Sequence, residues 1–143
     1  MSKPVKIVLG VVILLVLLVA ALVVGGVLWF NANKGRLVEE GRAQQELGAA
    51  FGAGKSNQEC LREMLTRADA CMSLFCEVRT RLFGDACLKA SLPSPGFCDG
   101  VPKTSEILKS ATWAVTSCVA LARAGNQGCQ RSMQTVQKFC EGQ

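Results

Sequence analysis

The residues of this sequence best suited to chemistry are its eight cysteines, and all of them lie beyond residue 59. A cysteine sulfur can act as a nucleophile, ligate a metal or join a second sulfur, and spacing discriminates among these uses. The reactive Cys-x-x-Cys of thiol oxidoreductases is absent, and so are the close cysteine pairs from which four-thiolate zinc sites are built. Histidine is missing altogether, which removes the commonest general base, the usual proton shuttle and the most frequent metal ligand. No metal and no other cofactor is expected. Acid–base catalysis would fall to Glu59, Glu63, Asp69, Glu77, Asp85, Asp99, Glu106 or Glu141. Most of these stand at helical distance from a basic residue (Glu59 with Arg62, Glu63 with Arg67, Glu77 with Arg81), which is the spacing of surface ion pairs. The sequence therefore reads as a non-enzyme with no catalytic residue, its sulfurs committed to disulfides.

The cysteine intervals carry a structural message. Ten residues separate Cys60 from Cys71, Cys76 from Cys87, Cys87 from Cys98, Cys118 from Cys129, and Cys129 from Cys140. Eleven steps of about 100° make three helical turns plus about 20°, so two such cysteines share one helix stripe about 16 Å apart. The recurrence predicts helices stapled at both ends. Apolar residues agree: Leu61, Met64, Ala68, Cys71, Phe75, Val78 and Leu82 follow steps of three and four, as do Leu108, Ala111, Val115, Cys118 and Ala122. Cys129, Met133, Val136 and Cys140 continue the spacing in a last helix. Breaks are expected at Gly84, at Pro93-Ser94-Pro95-Gly96, at Pro102, and at Gly125-Asn126-Gln127-Gly128. The fold class predicted is all-α, a small disulfide-stapled domain of helical hairpins behind a single N-terminal transmembrane helix.

Two arrangements satisfy these signals. In one, a turn at Met72 to Phe75 makes a hairpin that joins Cys71 to Cys76 and Cys60 to Cys87, while the second half joins Cys118 to Cys129 and Cys98 to Cys140. This nested pairing resembles, in general plan, the twin-cysteine helical hairpins of small mitochondrial intermembrane-space proteins, whose own intervals differ from the ten found here. In the other, Ala70 to Val78, which holds no Gly, Pro, Asn or Asp, continues one helix, and Cys71 and Cys76 point to nearly opposite faces and pair elsewhere. Eight cysteines allow 105 pairings, and sequence leaves the choice open. Either way the staples matter. Fewer than ninety residues and five aromatic ones (Phe75, Phe83, Phe97, Trp113, Phe139) follow residue 56. A core of that size supplies about 3 to 5 kcal/mol, against about 2 to 4 kcal/mol for each disulfide.

The elements that position this domain begin at the N-terminus. Ile7 to Phe30 carries no charged or strongly polar side chain. About 20 helical residues cross a hydrocarbon core of about 30 Å, so a transmembrane signal-anchor helix is predicted over residues 5–30 behind a cytoplasmic tail of residues 1–4. Trp29 and Phe30 fall where the chain leaves the bilayer, and the run is longer than the apolar region of a cleaved signal peptide. Ala21 and Gly25 form a small-xxx-small pair compatible with close helix approach. Basic residues flank both ends (Lys3 and Lys6; Lys34, Arg36 and Arg42), so charge does not orient the span. The cysteines do, because disulfides persist outside the reducing cytosol. Residues 57–143 are placed on the extracytoplasmic side of a plasma membrane or bacterial inner membrane.

Residues 31–56, rich in glycine and scattered charge, read as a flexible linker with a short helix-compatible stretch from Arg36 to Leu47. Gly52-Ala53-Gly54-Lys55-Ser56 imitates the end of a phosphate-binding loop, but Ala49 stands where its first glycine belongs and no strand precedes it. No nucleotide is expected; a helix capped by Ser56 or Asn57 is. The net charge of +5 is diffuse: beyond residue 56, ten basic residues face eight acidic ones. That mixture speaks against a nucleic acid partner. The functions left are a membrane-tethered interaction or scaffold domain with a protein partner, an accessory subunit of a larger secretion, transport or respiratory complex, and, furthest from the spacing, an extracytoplasmic thiol–disulfide protein.

Overall fold

The structure, a computed structural model, describes residues 3–143, with side chains from Ile7 onward. Its helices in chain order are α1 (Lys3–Gly52), α2 (Asn57–Asp69), α3 (Leu74–Ala90), α4 (Ile107–Ala120) and α5 (Gln127–Glu141). Among the described residues there is no strand, only an isolated bridge between Ser56 and Leu92. Of the tail expected over residues 1–4, Met1 and Ser2 lie outside the described residues. The chain divides into two compact units, Met1–Glu39 and Glu40–Gln143.

The first unit is the apolar helix. Its side chains from Ile7 to Phe30 are exposed on every side, and its most apolar window reaches a mean hydropathy of 3.6 with nothing buried. A helix apolar all round and unpacked is long and apolar enough to cross a membrane. Just beyond it, the Asn33 side-chain amide donates to the Trp29 carbonyl at 2.8 Å.

The second unit starts earlier than the sequence suggested. The flexible linker expected over residues 31–56 does not form: α1 continues to Gly52, leaving a turn of four residues before α2. The reason lies in the glycines. A Cβ on Gly48 would sit 2.2 Å from the Phe83 carbonyl oxygen, and one on Gly52 would sit 2.4 Å from that of Cys87. Gly41 faces Leu82, Glu40 pairs with Arg79, and the Phe51 ring lies 5.8 Å from that of Phe83. The last three turns of α1 therefore run alongside α3 in the same direction, backbone against backbone. Glycine, which would weaken a free helix, here permits contact that a side chain would block.

α2 and α3 form a hairpin, so the continuous-helix alternative over residues 57–83 is not adopted. Ser73 makes the turn: its hydroxyl accepts the Cys76 N–H at 3.3 Å as the N-cap of α3. The break expected at Gly84 is absent as well. α3 passes straight through it, and a Cβ there would meet the Met64 sulfur at 2.1 Å. α2 begins in a capping box, with Ser56 Oγ accepting the Glu59 N–H and Glu59 Oε2 accepting the Ser56 N–H at 2.8 Å. Buried Asn57 ties this start to the segment after α3, donating to Ser91 Oγ at 2.7 Å and accepting the Ser94 N–H at 2.8 Å. The long connection before α4 is held by buried Gln137, whose amide donates to the Pro102 carbonyl at 2.8 Å and to Ser110 Oγ at 2.6 Å.

The core has two parts, each built round a sulfur pair. Cys60, Met64, Phe83, Cys87, Leu88 and Val136 form one, bordered by Phe51, Phe97 and Phe139. Leu65, Ala114, Cys118, Cys129 and Met133 form the other, with Trp113 and Leu61 between them. Arg67 closes the first, its guanidinium 3.7 Å from the centre of the Phe83 ring while Nε holds Glu63 at 2.9 Å.

Two outcomes test this packing. Gly48→Ala should destabilise the domain by about 1 to 3 kcal/mol in thermal unfolding of the detergent-solubilised protein, because backbone must give way. Gly35→Ala, in open space, should be neutral or mildly stabilising; equal effects would refute the close-approach account. The Glu59 carboxyl is held below its ordinary value of 4.5, first by the Ser56 N–H, then by the Ser56 hydroxyl and Lys55. A depressed carboxyl contributes stability at neutral pH that is lost as pH falls through the folded value. Glu59→Gln should consequently lower the melting temperature at neutral pH, and the gap to the native protein should close as pH falls through the folded value.

Candidate functional site

The structure joins the eight cysteines as Cys60–Cys87, Cys71–Cys76, Cys98–Cys140 and Cys118–Cys129, with Cα separations of 5.7, 5.4, 5.4 and 6.0 Å. This is the nested pairing of the two-hairpin arrangement. Cys60, Cys87, Cys118 and Cys129 have no exposed surface and serve as core residues, while the other four are half-buried, Cys71, Cys76 and Cys140 near helix ends and Cys98 in the connection between α3 and α4. Cys71–Cys76 closes the α2–α3 turn, and Cys60–Cys87 locks the same hairpin 11 residues further along each helix. Cys118–Cys129 joins the end of α4 to the start of α5, and Cys98–Cys140 fastens the long connection to the end of α5. With every sulfur bonded to another, none stands as a thiolate for attack or ligation. Among the described residues no three His, Cys, Asp or Glu side chains gather as metal ligands do.

The carboxylates are placed by structure more than by helical spacing. Glu63 does pair with Arg67. Glu59 turns instead to Ser56 and to Lys55 at 3.4 Å, and Glu77 reaches across to Arg131 of α5 rather than along its own helix to Arg81. Asp69 receives both Arg123 at 2.9 Å and Asn126 at 3.1 Å. Glu106, at the start of α4, accepts from Lys109 and from the Lys103 N–H; these contacts hold its carboxyl below the usual range and the Lys109 amine above it. These are ion pairs and caps, in keeping with a structural use of charge.

What sequence spacing did not single out is the outer face of α4. Leu108, Ala111, Val115, Cys118 and Ala122 form an apolar run, yet within it only Cys118 is buried; the inward side of the helix is Trp113, Ala114 and Cys118. α4 carries one charge, Lys109, in 14 residues, and leaves Ile107, Leu108, Val115 and Val119 in solvent, Leu108 at 83 %. On one flank lies a groove of about 630 Å³ with Ile107, Ala111 and Val115 facing Gln130, Gln134 and Lys138 of α5. The other flank holds one of about 700 Å³, walled by Leu61, Leu65, Phe97, Trp113, Leu121 and Met133. α4 is thus an apolar ridge between two grooves. The only sequence signal for it was the near absence of charge over residues 107–120, which serves a buried helix equally well.

Comparison with family models, with curated proteins and with solved structures finds no match to this chain.

The four bridges are not equivalent. Loop closure assigns about 2 kcal/mol to the short Cys71–Cys76 bridge and about 4 kcal/mol to the long Cys98–Cys140 bridge, while loss of Cys60–Cys87 also empties the first core. Paired substitution to alanine should therefore rank Cys60/Cys87 as the most destabilising and Cys71/Cys76 as the least. Melting temperatures in detergent that reverse these two would refute the assignment of core roles.

Proposed function

We propose that this chain is a membrane-tethered, non-enzymatic interaction domain whose stapled helices sit on the extracytoplasmic side and present the ridge of α4 to a protein partner. The pairing of all eight sulfurs carries the side of the membrane in this reading, because four such bridges form and persist in an oxidising compartment. The apolar helix over Ile7 to Phe30 supports retention in the bilayer as an anchor. The interaction role is supported by the ridge itself. A rigid helix with four large aliphatic side chains in solvent, flanked by grooves, offers the apolar centre and polar rim that protein interfaces use.

The test has two parts. In sealed right-side-out cells, protease added outside should degrade a C-terminal epitope; full protection until lysis would overturn the assignment of side. Crosslinked pull-down from native membranes should recover a partner that is lost on Leu108→Glu with Val115→Glu, exposed positions where the change leaves the fold intact. A complex that survives removal of residues 40–143 would instead assign docking to the membrane helix, as an accessory subunit would have it.

A further inference from the structure

The second unit has two unlike ends. At one end lie the α1–α2 turn with Lys55 and Ser56, the connection carrying Asp99, Lys103 and Glu106, and the end of α5 with Glu141, linked through the Ser56–Leu92 bridge, Thr104 to Glu141 at 2.6 Å, and Cys98–Cys140. That end is polar. At the other end are the α2–α3 turn and the α4–α5 turn, brought together by Asp69 with Arg123 and Asn126 and by Gly128 against Ala68. Here Ala70 to Cys76 is a run without charge, and the neighbouring turn reads Ala120-Leu121-Ala122-Arg123-Ala124. The charges that remain are internally satisfied, as Asp69–Arg123 and Glu77–Arg131.

This end also carries three large apolar side chains in solvent on a single short loop. Met72 is wholly in solvent, Leu74 is 71 % exposed and Phe75 60 %, and all three sit within the four-residue loop that Cys71–Cys76 closes. Burial in the domain does not explain them, and the bridge that shapes them is the one expected to stabilise the fold least. A closed loop holds its side chains outward at little further entropic cost, which is what an inserting element requires.

The direction of the chain supplies the occupant. Glu40–Arg79, Gly48 against Phe83 and Gly52 against Cys87 make the end of α1 parallel to α3. The chain therefore comes into this unit at Glu40 on the side of the α3 N-terminus, and Arg79 is only five residues past Leu74. Glu40 is ten residues past Phe30, a stretch that rises about 15 Å as helix and cannot exceed about 35 Å at full extension. The loop is thereby kept at high effective concentration near whatever bilayer the N-terminal helix occupies, so a weak interfacial affinity suffices.

We propose that the loop closed by Cys71–Cys76 is a second membrane contact, with Met72, Leu74 and Phe75 entering the interfacial layer of the bilayer that anchors the chain. The inference rests on the membrane-tether reading above. It goes beyond it by naming the part of the domain that touches lipid.

The experiment uses the full chain reconstituted into vesicles of phosphatidylcholine with one quarter phosphatidylglycerol. A photoreactive benzoylphenylalanine replaces Phe75, Leu92 or Leu18 in turn. Leu92 is 59 % exposed, matching Phe75, but lies about 25 Å away along α3 at the opposite end. The expected result is lipid adducts at positions 18 and 75, with a yield at 75 several-fold above that at 92. Lipid adducts at 18 without an excess at 75 would overturn the inference while leaving the tether intact. Crosslinks from 75 to a second copy would replace the lipid contact by self-association. Absence of lipid adducts at 18 would remove the tether reading and this inference together.

Discussion

Everything in the domain is arranged around the buried Cys60–Cys87 bridge. It fixes α2 to α3 at a Cα separation of 5.7 Å, and α1 reaches the same place through Gly52, whose missing side chain lets the Cys87 backbone approach. Val136 of α5 packs on it from another side. Helices held this near one another leave little room for large side chains at the point of contact, which is why small residues and sulfur occupy it. A domain with few aromatic residues can build a core this way, because the covalent link constrains the unfolded chain as well as filling space. The same logic repeats at Cys118–Cys129, around which Leu65, Ala114 and Met133 gather.

Much of this was legible in the cysteine intervals, and the physical reason is clear. Eleven steps on a helix return nearly to the same azimuth, so Cys60 with Cys71 and Cys76 with Cys87 specify two helices whose facing stripes can be joined at both ends. The continuous apolar run from Leu61 to Leu82 argued for one long helix instead, and local pattern alone could not reject it. Ser73 decides the matter by capping α3. A serine is too common a residue to declare a turn without knowing that two sulfurs lie on either side of it.

Glycine is ambiguous for a related reason. Gly41, Gly48 and Gly52 have the same local consequence whether a segment is a loose spacer or a surface of close approach, since in both cases they lower helix propensity. Only the position of α3 distinguishes the two, and that is tertiary information. Gly84 shows the converse: its type suggests an interruption, yet α3 continues through it and the Met64 sulfur lies where its side chain would be. Charge followed the same rule. Glu63–Arg67 was readable from a four-residue spacing, but Glu77 prefers Arg131 across the bundle because the α3–α5 packing brings a second cation within reach.

Covalent stapling also alters the relation between stability and burial. In an unstapled bundle a helix must bury one whole face to stay in place, so apolar residues left in solvent are a direct loss. α4 does not obey this: among α2 to α5 its backbone comes near α5 alone, and it keeps only Ala114 and Cys118 fully inside. Cys118–Cys129 at one end and Gln137 bonded to Ser110 at the other hold it without a second helix against its back. The apolar residues that such a helix would ordinarily use for its own folding, Leu108, Val115 and Val119, are released for contact with something else. The Met72–Phe75 loop repeats the argument on a smaller scale, since a five-residue separation closed by sulfur fixes three apolar side chains in solvent that no packing within the domain holds. Where bridges supply the order, exposed apolar surface ceases to be a by-product of weak packing and becomes available as binding surface.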